Sequence, residues 1–345
     1  MRNMDQGAHG REQLEVNRTI EEPQSAGEND SVESDGIDRR NFLSCMAWAG
    51  TGLLWTVAGG VPTSRLFAAT GALASKEAHA QTNASLTFVQ ISDSHIGFNK
   101  AANQDVTGTF KLALDKINRL PNAPDLLLHT GDITHSSKTM EFDTAQQLIK
   151  GTRAGEKFFV PGEHDTASDD GAAYLERFGK GTMGRGWYSF SHKGVHFIGL
   201  NNVLQIDAMG RLGPEQLSWL KADLGALSSS TPIVIFAHIP LWMVYPEWGW
   251  GTSDGAEALS YLKRFGSVTV LNGHIHQIVQ KVEGNVSFHT ATSTAFPQPA
   301  PGKAPNAGPM VVPANKLKSV LGVTEVKYIG RRTHLAIVDS SLEEA

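Results

Sequence analysis

From about residue 85 onward, short apolar runs alternate with helix-like segments, and five of those runs stop at residues able to ligate a metal ion. Phe88-Val89-Gln90-Ile91-Ser92 leads to Asp93 and His95, and Leu126-Leu127-Leu128-His129-Thr130 leads to Gly131 and Asp132. Phe158-Phe159-Val160-Pro161 is followed by Gly162-Glu163-His164-Asp165, Ile233-Val234-Ile235-Phe236-Ala237 stops at His238, and Val268-Thr269-Val270-Leu271-Asn272 stops at Gly273-His274-Ile275-His276. Apolar runs of this length read as strands. The expected strands are 86–91, 126–129, 158–160, 195–200, 233–237 and 268–271. Helical periodicity falls on 106–120, 139–150, 172–178, 214–227 and 256–265, with Pro214 suited to a first helical turn. Such alternation predicts an α/β protein with a largely parallel sheet under helices. Ligands of such sheets gather outside the carboxyl ends of the strands, so all five segments are expected at one rim. Turns at Gly284-Asn285 and Gly330-Arg331 predict two late antiparallel hairpins, and the Pro- and Ala-rich stretch from Pro297 to Pro313 predicts a surface loop.

Singly, these signals are ambiguous. An Asp-x-His is also a strand-end turn, a Gly-Asp is also a plain turn, and a lone His238 is also a core or capping residue. Gly-His-x-His says more, because alternate residues beyond a strand point the same way and the glycine lets backbone approach closely. The five blocks together, in this order and at these strand ends, form a specific constellation. The one cysteine, Cys45, excludes an intramolecular disulfide and thiolate-rich metal sites. Metal chemistry then falls to His, Asp, Glu and Asn, and imidazole and carboxylate ligands suit zinc, manganese, iron, nickel or cobalt without choosing among them. A net charge of −5 gives no general attraction to nucleic acid or an anionic membrane.

These blocks resemble the calcineurin-like metallophosphoesterases, whose motifs run Asp-x-His, Gly-Asp, Gly-Asn-His-Asp/Glu, a lone His and Gly-His-x-His. The resemblance covers about residues 85 to 290. Gln90-Ile91-Ser92-Asp93-Ser94-His95 and the stretch from Gly210 to Leu224, with Leu212, Gln216-Leu217 and Trp219-Leu220, resemble the bacterial class III cyclic-nucleotide phosphodiesterases. The resemblance implies a sandwich of two β-sheets flanked by helices, and two divalent or mixed-valence transition metal ions, iron, manganese or zinc. By position it implies Asp93, His95 and His276 on one metal, Glu163, His238 and His274 on the other, and Asp132 bridging them. The family position held here by Glu163 normally carries Asn, which puts metal identity and pH behaviour in question more than metal binding. His164 is implied as the general acid or phosphate-contacting residue, with Asp165 expected to orient its ring.

The expected activity is hydrolysis of a small-molecule phosphate ester by a metal-bridging hydroxide, with nucleotide-type phosphodiesters as the favoured class. The alternatives are a phosphomonoesterase acting on peptides, sugars or lipids outside the cytoplasm, and a non-catalytic scaffold of the same fold. Scaffolds of this kind commonly lose ligands, whereas every position here is metal-competent. The loop from Leu241 to Trp250 is rich in aromatics and is read either as a platform for a nucleobase or apolar alcohol or as a small satellite core. Asn201 and Asn202 are further candidate substrate contacts.

Residues 1–38 are polar and lack an apolar period, as a disordered leader does. Arg39-Arg40-Asn41-Phe42-Leu43 then opens a weakly apolar run, Cys45 to Val61, and Ala-rich sequence follows to Ala78-His79-Ala80. A charged start, an apolar stretch and an Ala-x-Ala site make an export signal. The paired arginines resemble the twin-arginine type, which implies that export machinery as a partner and a periplasmic or secreted product. The competing reading is a membrane anchor, disfavoured by a short, Gly-rich run followed by Arg65. The expected division is 1–80 leader and signal, then 81–345 catalytic domain, with no transmembrane span after cleavage and no nucleic-acid partner.

Overall fold

The apolar runs are strands whose two faces are both covered, by different partners. The structure, a computed structural model, describes residues 54–58, 61–65, 85–204, 208–329 and 335–343. Arg39, Arg40, Cys45 and the Ala78-His79-Ala80 site lie outside the described residues. Within the stretch read as export signal, β1 (Leu54–Ala58) and β2 (Val61–Arg65) pair antiparallel in a sheet of their own. No helix among the described residues is long and apolar enough to cross a membrane.

One sheet takes β3 (Ser85–Ile91), β4 (Leu126–His129), β5 (Glu156–Phe159), β12 (Gly322–Ile329) and β13 (Ala336–Ser341), in the order β13-β12-β3-β4-β5. The other takes β6 (Tyr188–His192), β7 (Val195–Gly199), β8 (Ile233–Phe236), β9 (Val268–Asn272), β10 (Gln280–Glu283) and β11 (Val286–Thr290), in the order β10-β11-β9-β8-β7-β6. The strands carrying the motifs pair in parallel, β3 with β4 and β4 with β5 in one sheet, β8 with β9 in the other. Antiparallel strands occupy three of the four edges, β13, β10 and β6, while β5 forms a parallel edge. Two sheets therefore replace the one sheet that alternation alone predicts, as the resemblance implied.

Side-chain period sorts each strand between two cores. Leu86 and Phe88, Leu126 and Leu128, and Val234 and Phe236 point between the sheets, meeting Phe197, Leu271 and Val326. Their neighbours point outward under helices. Val89, Ile91 and Leu127 lie beneath α1 (Val106–Asn118), α2 (Thr139–Lys150) and, beyond the single turn α3 (Glu163–Thr166), α4 (Ala172–Phe178). Ile233 and Ile235 lie beneath α5 (Pro214–Gly225) and α6 (Gly255–Ser260). A further short helix, α7 (Leu317–Val320), leads into β12. The stretch from Pro297 to Pro313 is loop, as expected.

At the carboxyl ends, buried amides tie the two sheets together. Gln90 Nε2 on β3 donates to Thr130 Oγ1 at 3.0 Å and to the Asn272 carbonyl at 3.1 Å, and Asn272 Nδ2 donates to the Ala237 and Ile239 carbonyls. The ends of β3, β4, β8 and β9 are thus fixed relative to one another directly beneath the motif residues.

Candidate metal centre

Sharp backbone bends at the strand ends turn the motif side chains toward one another. Nine non-glycine residues among those described have positive φ, and five of them are Asp93, His95, Asp132, His274 and His276. Left-handed backbone at a residue with a β-carbon costs on the order of 1–3 kcal/mol, and such strain concentrates at functional sites. Close approach also needs glycine. A β-carbon on Gly162 would collide with Asp132 Oδ1, and one on Gly273 would collide with Ser92 Oγ.

The side chains gather in two clusters of three. Asp93, His95 and His276 form the first, with His276 Nε2 3.3 Å from Asp93 Oδ1 and 3.2 Å from His95 Nε2. Glu163, His238 and His274 form the second, with Glu163 Oε2 2.9 Å from His238 Nε2 and Oε1 3.0 Å from His274 Nδ1. Asp132 stands between them, its Oδ2 3.4 Å from His95 Nε2 and 3.4 Å from His238 Nε2. All seven residues expected as ligands are thus brought together, with contributions from both sheets.

Two of the four candidate ligand rings are oriented from behind by backbone carbonyls. His238 Nδ1 donates to the Thr130 carbonyl at 2.7 Å and His276 Nδ1 to the Phe296 carbonyl at 2.6 Å, which turns each Nε2 toward the cluster as the nitrogen that would offer its lone pair to a cation. Glu163 Oε2, His238 Nε2 and His274 Nδ1 are buried, and although Glu163 oxygens lie 2.9 Å from His238 Nε2 and 3.0 Å from His274 Nδ1, none of the three atoms makes an aligned hydrogen bond. Buried polar atoms are ordinarily satisfied. Three unsatisfied ones converging from three elements, all nitrogen or carboxylate oxygen, fit a divalent cation.

Charge follows the same division. Burial would raise the Asp93 carboxyl, but the neighbouring His276 and His238 outweigh it and hold the group at about 2. Burial would raise Glu163 as well, and His274 and His238 bring it well below the ordinary carboxylate range. Burial, with His164 and His276 beside it, holds the His95 imidazole well below its ordinary value. His238 goes the other way: burial opposes its charge, yet Asp132 and Glu163 raise it well above the ordinary histidine range.

His164 lies at the edge of the clusters, with a ring nitrogen within 4.8 Å of carboxylate oxygens of Asp132 and Glu163. Its backbone N–H donates to Asp132 Oδ1 at 3.0 Å and its Nδ1 to the His135 carbonyl at 2.7 Å. Burial would lower this imidazole, but Asp132, Glu163 and the His135 carbonyl more than offset that and raise it above its ordinary value. The expected partner, Asp165, does not orient the ring. Its carboxylate accepts from the backbone N–H groups of Gly162, Ile133 and Thr134 and from Thr134 Oγ1, at 2.8–3.0 Å, which braces the loop after β4 against the turn at Gly162. Consecutive residues of a helical turn face about 100° apart, so sequence adjacency to His164 gives no contact.

Asn201 and Asn202 are likewise structural. Asn202 bonds the Ile239 backbone and Thr252 Oγ1, holding the segment after His238, and Asn201 Nδ2 donates to the Arg185 carbonyl. The aromatic loop divides. Leu241 and Trp242 join the core beside Phe288 and Trp250 is 1% exposed, whereas Tyr245 and Trp248 remain half-buried. His135 was not singled out from the sequence. It stacks on His164 with ring centroids 4.8 Å apart and an interplanar angle of 20°, and burial and the charge of His164 hold its imidazole down to about 4. The available signal was a histidine three residues after Asp132, weak because no period or spacing distinguishes it.

Residues 86–278 match the calcineurin-like phosphoesterase family, and the chain belongs to that family. Among curated relatives, a 3',5'-cyclic-nucleotide phosphodiesterase of Nostoc sp. is 25% identical over 217 residues, covering 61% of this chain and 79% of that one. A probable glycerophosphodiester phosphodiesterase of Arcobacter nitrofigilis is 24% identical over 222 residues, covering 59% of this chain and 77% of that one. The solved purple acid phosphatase PPD1 of yellow lupin is similar in fold, with a TM-score of 0.55 at 14% identity over 76% of this chain, which spans 52% of the lupin chain. The protein is accordingly a phosphoric ester hydrolase of mixed α/β fold, of a family that implies divalent metal ions.

Proposed function

We propose that the protein hydrolyses phosphodiesters of the nucleotide type with two metal ions, one held by Asp93, His95 and His276, the other by Glu163, His238 and His274, and both sharing Asp132. The observation that carries this is the equal 3.4 Å separation of Asp132 Oδ2 from a histidine nitrogen of each cluster. Bound together, two such ions lower the pKa of a water and stabilise charge on the attacking and leaving oxygens.

The chain's own groups do the rest. Asp93, Asp132 and Glu163 supply the compensating negative charge, and the carbonyls behind His238 and His276 keep their lone pairs inward. His164, fixed through Nδ1, keeps its other nitrogen for a proton delivered to the leaving-group oxygen. Its backbone bond to Asp132 locks that proton donor to the shared carboxylate. The phosphodiester preference rests on the names of the relatives. A panel of 3',5'-cyclic nucleotides, glycerophosphodiesters and phosphomonoesters, assayed with defined metals, tests it. The reading expects the diesters to have the highest kcat/KM; a preference for monoesters would overturn the substrate class, and no turnover at full metal occupancy would favour a scaffold.

Export by the twin-arginine route belongs to the same proposal, on the strength of Arg39-Arg40-Asn41-Phe42-Leu43 and the Ala78-His79-Ala80 site. Periplasmic yield should fall sharply for Arg39→Lys combined with Arg40→Lys. Equal yields would refute the assignment.

A further inference from the structure

His238, His276 and His164 each donate a hydrogen bond from Nδ1–H to a backbone carbonyl, at 2.6–2.7 Å. His95 is different. Its Nε2 faces Asp132 and His276, and its Nδ1 faces the Nδ1 of His135 at 3.4 Å. A histidine that ligates through Nε2 carries its proton on Nδ1, and that proton needs an acceptor to fix the ring and sustain its basicity. The His135 ring supplies one, provided its own proton sits on Nε2.

His135 does more than accept. Its carbonyl takes the Nδ1 proton of His164, and its ring stacks on that of His164 while meeting His95 and Phe98 edge-on. Its backbone is pinned too, the His135 N–H donating to the Ile96 carbonyl at 2.9 Å. Ser137 Oγ donates to the His164 carbonyl at 2.7 Å, and the Ser136 N–H donates to the largely buried Glu141 carboxylate at 2.8 Å. A ring held this firmly between a candidate ligand and a candidate acid is placed to set both.

We propose that His135 is a positioning residue for the metal centre: its Nδ1 accepts the Nδ1 proton of His95 and so tightens the metal held by Asp93, His95 and His276, while its carbonyl and ring face hold His164. This rests on the dinuclear reading given above. The metal-side role is separable from packing because it needs an acceptor atom and not merely a ring. His135→Phe keeps a ring of similar size without an acceptor, and His135→Gln keeps an acceptor without a ring.

Isothermal titration of Co²⁺ into the metal-stripped protein reads both affinities, with the step that persists in Glu163→Ala assigned to the first cluster. His135→Phe should weaken that step about tenfold, the usual scale for losing an outer partner of a ligating histidine, and leave the other step unchanged. His135→Gln should recover most of the loss. Wild-type affinity in His135→Phe, or equal weakening in His135→Phe and His135→Gln, would overturn the proposal while leaving the dinuclear reading intact. A wild-type protein that binds no Co²⁺ would overturn the dinuclear reading itself, and the proposal with it.

Discussion

The two clusters flanking Asp132 are built to different standards of enclosure. Asp93, His95 and His276 are buried, with the Phe296 ring stacked on His95 and tilted against His276 at centroid distances of 4.8 and 4.7 Å. The side chains of Glu163 and His274 keep 30% and 14% of their exposure, and that cluster holds the three unsatisfied atoms. An enclosed site resists ligand loss because its donors cannot turn to water, whereas an open one admits substrate and exchanges its ion more readily. Glu163 therefore falls in the more exposed half of the centre.

The substitution with the largest expected effect removes what the clusters share. Asp132→Asn should lower metal content and depress kcat/KM on the order of a thousandfold, ~4 kcal/mol at the transition state. Metal analysis beside kinetics checks this, and two tightly held ions with near-normal turnover would break the comparison at its hinge. Next comes His164→Ala, which should retain both metals while slowing esters with poor leaving groups by about a hundredfold or more and activated esters much less. Loss of both metals from that variant would move His164 into the ligand set.

Acid should separate the clusters. His238 is raised well above the ordinary histidine range while His95 lies well below it, so as pH falls His238 takes up a proton first and its cluster loses affinity first. Metal content measured across a descending pH series should show one ion leaving before the other. The residue at 163 sharpens the test. Replacing ionised Glu163 by Asn restores one positive charge to the centre, so bound water should deprotonate more easily and the acidic limb of kcat/KM should move down by roughly one unit. An unchanged limb at full Mn²⁺ occupancy would show that Glu163 does not set the charge of the open cluster.

The smallest effect on chemistry is expected from Asp165→Asn. Burial and the nearby Asp132 raise this carboxyl to about 7, and its work is to accept four hydrogen bonds from the loops that carry Asp132 and Glu163. The amide should cost about 1–3 kcal/mol of stability, visible as a lower Tm, with unchanged dependence on the leaving group. A steeper leaving-group dependence would restore Asp165 as the partner of the His164 ring.

Strands covered on both faces leave continuous apolar runs, which is why β4 and the ends of β3, β8 and β9 were legible together with the ligands beyond them. Helices 139–150 and 172–178 have the bounds their periodicity gives. The pattern at 256–265 overruns α6, because Leu262 and Phe265 continue the apolar period through turns bonded to Leu259 and Leu262. Edge strand β6 escaped notice because Ser189, Ser191 and His192 interrupt its apolar residues. The structural roles of Asn202 and Asp165, and the presence of His135 at the centre, depend on loop geometry that no local spacing encodes.

The central claim is that one carboxylate joins two ions. Electron paramagnetic resonance of the protein loaded with two Mn²⁺ per chain tests it most directly, since ions sharing Asp132 would lie about 3.5–4 Å apart. The account predicts an exchange-coupled spectrum that Asp132→Asn abolishes or weakens. Two magnetically isolated Mn²⁺ signals in the wild-type protein at full occupancy would contradict it.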